Sequence, residues 1–156
     1  PVVITRAITA SDCEPARPLA IAHARFERSD VQIPRDWADR VAARIAQERL
    51  DVFIATSGGE AVGFASLTSD VSTWTGELYG RLDCLYVDEA ERGAGVGQLL
   101  LTAVSDRATA RGLTELQWQT PTWNERAIAF YRRTGARSTT KERFTLAQDE
   151  RAGGSA

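Results

Sequence analysis

The sequence is poor in the residues that build metal sites and disulfide frameworks. Its 156 residues include two cysteines, Cys13 and Cys84, and a single histidine, His23. The cysteines lie far apart in the chain and form no CxxC pair, so neither a zinc site nor a disulfide framework is predicted. We therefore expect no metal, and a reducing, cytoplasmic setting.

Long apolar runs and an excess of one charge are missing too. No apolar run approaches about 18 residues, the length of a membrane-spanning helix, and no basic-then-apolar leader precedes Val2. Lys and Arg number 19 against 21 Asp and Glu, so the net charge is −2. Without a basic field, nucleic acid and anionic membranes are not expected as partners.

The chain does contain one alternating series of strand and helix patterns. With 156 residues, 43% of them hydrophobic, it can bury the core of one domain. We assign residues 1–148 to that domain and 149–156 to a disordered tail. The patterns predict a strand over 2–8, a helix capped by Ser11 or Asp12 and running to about Ser29, and a helix from near Pro34 to about Arg49. A hairpin turning at 57–60 and a strand over 79–87 come next. A helix to about 111, a strand over 113–120, a helix closing at 135 and a strand over 141–146 follow.

The segment DEAERGAGVGQLLLTAV, residues 88–104, has Gly93, Gly95 and Gly97 within five positions, ahead of an apolar helix. A glycine-rich turn that opens a helix gathers free backbone N–H groups at the positive end of the helix dipole, which favours a phosphate. The P-loop pattern GxxxxGK[ST] requires a lysine after Gly97, where Gln98 stands, and the Rossmann pattern GxGxxG does not fit. The alternatives are another type of phosphate loop and a plain glycine-rich connection.

Two motifs together carry a family resemblance. The string RGAGVG, residues 92–97, resembles the R/Q-x-x-G-x-G/A pattern of the GNAT superfamily of N-acetyltransferases, and WNERAIAFYRRTGA, residues 123–136, resembles the family's N-x-x-A-x-x-F-Y helix. LDCLYV, residues 82–87, and ARFER, residues 24–28, are similar to the spermidine/spermine and thialysine N-acetyltransferase branch. The resemblance implies the GNAT fold, an α/β (α+β) arrangement. Its mixed, mostly antiparallel central sheet is splayed at the cofactor site and flanked by helices.

The resemblance implies acetyl-CoA as the cofactor. Coenzyme A carries a pyrophosphate and an amide-bearing pantetheine arm, so its site needs an anion nest and an exposed strand edge. The glycine loop would supply the nest, and residues 85–87 the edge. Asn124 would hold the arm, or cap its own helix. The expected cofactor-binding residues are Leu85, Tyr86, Val87, Arg92, Gly93, Ala94, Gly95, Val96, Gly97, Gln98, Asn124, Ala127 and Tyr131.

Acyl transfer to an amine needs a neutral nitrogen, a stabilised oxyanion and a proton for the leaving thiolate. The resemblance assigns the acid to Tyr131 and the oxyanion to the backbone N–H near Leu85. It assigns the base to Asp83, with a bridging water or an already neutral amine as alternatives. Glu27 would bind the acceptor's ammonium group, or be an exposed helix glutamate. His23, without a serine motif or a second metal ligand, is predicted on a helix surface.

The resulting hypothesis is an enzyme that acetylates the primary amine of a small cation by direct attack. The acceptor would be a polyamine, a lysine- or thialysine-like amino acid or an amine natural product, and the resemblance implies a homodimer. One alternative is an acetyltransferase of a protein amine or an aminoglycoside. The other is a non-catalytic acyl-CoA-binding module, which has no need of Tyr131 or Asp83.

Overall fold

The computed structural model describes residues 1–148. The chain forms two compact units, Pro1–Gln119 and Thr120–Ala156. The expected tail over 149–156 lies outside the described residues, and the assignment of 1–148 to one domain stays a prediction. No helix among the described residues is long and apolar enough to cross a membrane.

The first unit is built on a five-stranded sheet in the order β1-β2-β3-β4-β5. The strands are β1 Val2–Arg6, β2 Asp51–Ser57, β3 Glu60–Val71, β4 Leu78–Val87 and β5 Leu116–Gln117. The first four pair antiparallel, and β4 pairs with β5 in parallel. The helices of this unit are α1 Ala10–Cys13, α2 Arg17–Phe26, α3 Trp37–Ala46 and α4 Val96–Ala110, and the second unit contains α5 Glu125–Arg133. The predicted mixed, mostly antiparallel sheet flanked by helices is confirmed.

The N-terminal helices differ from the prediction. The first predicted helix is broken into α1, a 3₁₀ turn at Glu14–Ala16 and α2, with a proline at the start of the turn and another at the start of α2. The cap is Thr9, whose Oγ1 accepts from the Asp12 N–H at 3.2 Å, while the Asp12 carboxylate accepts from the Thr9 N–H at 2.9 Å. This reciprocal capping box explains why the helix begins before Ser11.

The C-terminal strand predictions fail more clearly. The strand expected over 113–120 is reduced to Leu116–Gln117. The strand expected over 141–146 is wrong, because residues 136–148 contain neither helix nor strand. Phe144 and Leu146 are 88% and 84% exposed, so the apolar residues that suggested a strand are not buried against a neighbour. Alternation alone does not make a strand without a partner to pair with.

Helices cover both faces of the sheet. Phe64 of β3 belongs to a buried cluster with residues of α1, α2 and α3. The preceding residue, Gly63, faces the other side of the sheet, where a Cβ added to it would lie 3.1 Å from the Leu100 side chain of α4. At the start of β2, Asp51 is 6% exposed, and its Oδ2 accepts from Arg107 of α4 at 3.2 Å and from Arg111, the C-cap of α4, at 3.1 Å. The core and this ion cluster fix α4 against the sheet.

The sheet opens along β4. The parallel ladder with β5 contains only Gly80 with Leu116 and Arg81 with Gln117. In the antiparallel ladder with β3, the register shifts so that Asp83 has no opposite residue, which is a β-bulge. Residues 82–87 of β4 therefore have no β5 partner in the part of the chain that the structure describes. This half of the strand offers a free edge, apart from the Val87 carbonyl, which accepts from the Arg92 side chain.

Candidate active site

The glycine loop has the backbone conformation that an anion site requires. Gly93 and Gly95 have φ of +86° and +85°, with open space where a Cβ would stand, so conformation is what requires glycine at both positions. Gly95 is the N-cap of α4, and its carbonyl accepts the first helical bond, from Leu99. The N–H groups of Val96, Gly97 and Gln98 precede that bond, and the first turn of α4 contains no acidic residue. The loop can therefore hold an anion on backbone donors.

Arg92 anchors this loop to the end of β4. Its Nε donates to the Val87 carbonyl at 2.9 Å. Its guanidinium lies 4.9 Å from the centre of the Phe26 ring and 5.4 Å from that of Tyr86. The sequence suggested only a phosphate contact for this side chain. The structure shows a second role for Arg92, because its side chain links the glycine loop to α2 and β4.

Two predicted substrate residues meet in one cavity. Glu27, at the C-cap of α2, and Asp83, at the bulge of β4, both line a cavity of about 270 Å³. His23, Ser29, Ser66 and Cys84 complete its polar lining, while the other lining residues are apolar. Glu27 and Asp83 are 56 positions apart in the sequence, and only the packing of α2 on the sheet brings them together.

His23 is the functional candidate that sequence reasoning missed. Its side chain is 16% exposed, and its Nε2 lies 2.9 Å from Oε2 of Glu27. The ring packs 5.5 Å from Tyr86 and edge-on to Phe64, centre to centre at 6.2 Å. The prediction of a helix-surface histidine is therefore wrong. The available signal was the i, i+4 spacing of His23 and Glu27, which puts both on one helix face.

Cys84 reports on the electrostatics of the cavity. Its N–H donates to the Ser66 Oγ at 3.1 Å, and its Sγ lies 3.8 Å from Oδ2 of Asp83. Burial, followed by the negative charges of Asp83 and Glu27, raises the pKa of the Cys84 thiol to about 12. The thiol is therefore protonated at neutral pH and is not an activated nucleophile.

In the second unit, α5 carries the remaining predicted residues. Asn124 is the N-cap, and its Oδ1 accepts from the Ala127 N–H at 3.2 Å, so the capping role considered for it is present. Its Nδ2 donates to the Thr120 Oγ1 at 3.4 Å. Tyr131 is half-buried on the last turn, with its ring 5.3 Å from that of Phe130.

Comparison with known proteins identifies the class. Residues 16–136 match the model of the acetyltransferase (GNAT) family, and the chain belongs to that family. The chain is 29% identical over 108 residues to a thialysine N-ε-acetyltransferase of Caenorhabditis elegans, covering 69% of this chain and 66% of that protein. It is 29% identical over 133 residues to a D-amino-acid N-acetyltransferase of Saccharomyces cerevisiae, covering 83% of this chain and 81% of that protein. The match to a thialysine enzyme agrees with the branch that the motifs resembled.

A solved structure agrees on the fold. An aminoglycoside acetyltransferase from an uncultured soil metagenomic sample superposes with a TM-score of 0.78 at 21% identity, over 94% of this chain and 97% of that one. At this identity the likeness concerns the fold alone. The family match and the named relatives together support an N-acetyltransferase.

Proposed function

We propose that the chain transfers an acetyl group from acetyl-CoA to the primary amine of a small molecule by direct attack. The observation that carries this proposal is the cavity in which Glu27 and Asp83 meet, because it places two carboxylates beside the unpaired half of β4. Carboxylates there can attract an ammonium ion and accept its proton. Of the relatives, one is named for thialysine and one for D-amino acids, and both of these compounds carry amines.

The residues present suit coenzyme A. The N–H groups of residues 96–98, at the start of a helix without acidic residues in its first turn, would hold the pyrophosphate. The free edge at residues 85–87 would pair with the pantetheine amides. Asn124, Ala127 and Tyr131 are assigned to the cofactor by the resemblance of α5 to the family helix. When bound, acetyl-CoA supplies an activated acetyl thioester.

The chain's own residues would manage the protons. Glu27 attracts the acceptor's ammonium, and Asp83 takes its proton directly or through a water. The Glu27 carboxylate with its His23 partner is a second proton acceptor at the same end of the cavity. The backbone N–H of Leu85 would stabilise the oxyanion, and Tyr131 would donate its phenolic proton to the leaving sulfur. Because the Cys84 thiol holds its proton, a route through an acyl-cysteine is disfavoured.

The test is thiol release from acetyl-CoA across amines, basic amino acids, aminoglycosides and a lysine peptide. Tyr131→Phe is expected to lower kcat about 100-fold, the usual contribution of a general acid. Tyr79→Phe, which removes a hydroxyl at the far end of β4, is the matched control and should keep full activity. Full activity of Tyr131→Phe would overturn the assignment of the acid. Binding of acetyl-CoA with no turnover of any acceptor would favour a binding module, and turnover of the peptide or aminoglycosides alone would favour the other alternative.

We further propose that the protein acts in the cytoplasm as a homodimer. Support for the setting comes from Cys13 and Cys84, which are both free thiols. The dimer is proposed from the family resemblance. Light scattering on the purified chain tests it, and a monomer at assay concentrations would refute it.

A further inference from the structure

The cavity described above separates charge from apolar surface. Asp83 lies against the Cys84 sulfur, and Asp83 and Glu27 both act on the pKa of that thiol, so both carboxylates are at the Cys84 end. His23 contacts Glu27 at the same end. Apart from Ser29 and Ser66, the rest of the lining is apolar and includes Val31, Ile33, Trp37, Val41 and Leu50.

This apolar part of the lining offers no carboxylate to a second cation. The lining residues include only two carboxylates, Glu27 and Asp83, and both are already at the reacting end. An ammonium group placed against aliphatic side chains such as those of Val41 and Leu50 loses hydration without gaining an ionic partner, which is unfavourable. An alkyl chain or an aromatic ring in the same place buries apolar surface and is stabilised.

The volume fits such a group. A cavity of roughly 150 Å³ accommodates one benzene molecule. The cavity here, about 270 Å³, therefore has room for one ring or a branched alkyl group together with a short chain to the amine.

From this separation we infer that the acceptor is a monoamine with an apolar body, an arylalkyl- or alkylamine, and that diamines and polyamines are poor substrates. The inference rests on the proposed function and narrows its substrate class. The ammonium enters towards Glu27 and Asp83, and the apolar body lies against Trp37, Val41 and Leu50. The reaction is otherwise unchanged: the amine nitrogen forms the new bond to the acetyl carbon, the carbon–sulfur bond breaks, and the amine proton leaves to a carboxylate.

The experiment compares n-hexylamine with hexamethylenediamine, two chains of equal length that differ in one terminal ammonium. Phenethylamine and spermidine extend the comparison. The kcat/KM for hexylamine is expected to exceed that for the diamine about tenfold or more, since the diamine brings a second, partly desolvated ammonium to a lining without a carboxylate for it. Equal or faster turnover of the diamine or of spermidine would overturn the inference.

A designed variant tests the cause. Val31 is 60% exposed at the apolar side, so Val31→Glu adds a carboxylate there without disturbing the core. It should raise kcat/KM for the diamine relative to hexylamine. Val3→Glu, on β1 at a position 56% exposed and outside the cavity lining, is the matched control and should leave the ratio unchanged. An unchanged ratio in Val31→Glu would count against the inference.

Calorimetric binding of the same two amines separates this inference from the proposed function. If hexylamine binds more tightly than the diamine but is not acetylated, the proposed catalytic function is refuted and the inferred selectivity of the cavity is supported. Equal or tighter binding of the diamine would overturn the selectivity, whatever the turnover.

Discussion

Gly95→Ala tests whether the glycine loop binds the cofactor, because the chain supplies an almost ideal control. Gly95 and Gly59 both have φ of +85°, and nothing lies within 4 Å of a Cβ added at either position. Gly59 lies in the turn between β2 and β3, while Gly95 opens α4. Alanine should therefore meet the same penalty at both sites, about 1–2 kcal/mol for a left-handed backbone. Any difference between the two variants reports what Gly95 does beyond folding.

The strain that alanine adds at position 95 can appear in folding or in binding, but only once. In urea unfolding, Gly59→Ala should lose about 1–2 kcal/mol. The loop in Gly95→Ala is expected to relax towards negative φ in the free protein, so this variant should lose less stability than Gly59→Ala. Its N–H groups at residues 96–98 then turn away from the anion, and the strain that folding avoids appears as a Kd for coenzyme A raised by up to roughly 5- to 30-fold. Gly59→Ala should bind as the wild type does. Unchanged affinity in Gly95→Ala, together with a smaller loss of stability than in Gly59→Ala, would refute the loop as the pyrophosphate site.

Three further outcomes follow from buried or hydrogen-bonded groups. Asp51→Asn weakens the ion cluster that holds α4 and should lower the free energy of unfolding in urea by about 2 kcal/mol. Asp36→Asn, which removes a charge from an exposed pair, should lower it by less than about 1 kcal/mol. Equal losses in the two variants would contradict this ranking. Cys84→Ala should keep acetyl-transfer activity. In the wild type, the Cys84 thiol should react slowly with iodoacetamide at neutral pH, because its pKa is raised to about 12. Rapid alkylation with loss of activity would contradict this prediction. Backbone hydrogen bonds from Thr9 and the preceding residue lower the pKa of Asp12. The ionised Asp12 carboxylate therefore stabilises the fold above pH 3.8, and this contribution is lost as the pH falls through the lowered pKa. Unfolding curves of Asp12→Asn should lack this pH dependence, and an unchanged dependence would assign it to other groups.

The conformation of the glycine loop and the cap of α5 were predictable because their signals are local. A strand, the glycine loop and a helix follow one another without interruption over residues 78–110. Glycine at positions 93 and 95 predicts the positive φ that both residues adopt. The capping role of Asn124 likewise depends on three neighbouring positions. Such local features depend little on the rest of the fold, so sequence motifs and residue spacing are enough to predict them.

Where contacts are long-range, the sequence predicted less. His23 was expected on a helix surface, yet packing of α2 on β3 and β4 buries it among Phe64, Tyr86 and Glu27. Helical periodicity identifies a buried face, but it does not say which strand residues that face meets. The strand expected over 141–146 failed for the same reason, because strand formation depends on a partner that a local pattern cannot supply.

This contrast bears on how the acceptor can be identified. The proposed pyrophosphate and pantetheine contacts depend on a short continuous segment, so proteins that share it can share the cofactor while differing elsewhere. The cavity proposed for the acceptor is assembled from α2, the segment before α3, α3 itself, and strands β2 to β4. Single substitutions in its lining change its charge without touching the glycine loop. The pair formed by His23 and Glu27 and the apolar wall around Trp37 are features of this kind. The chemistry of these walls, more than the motif, must therefore decide which amine this chain acetylates.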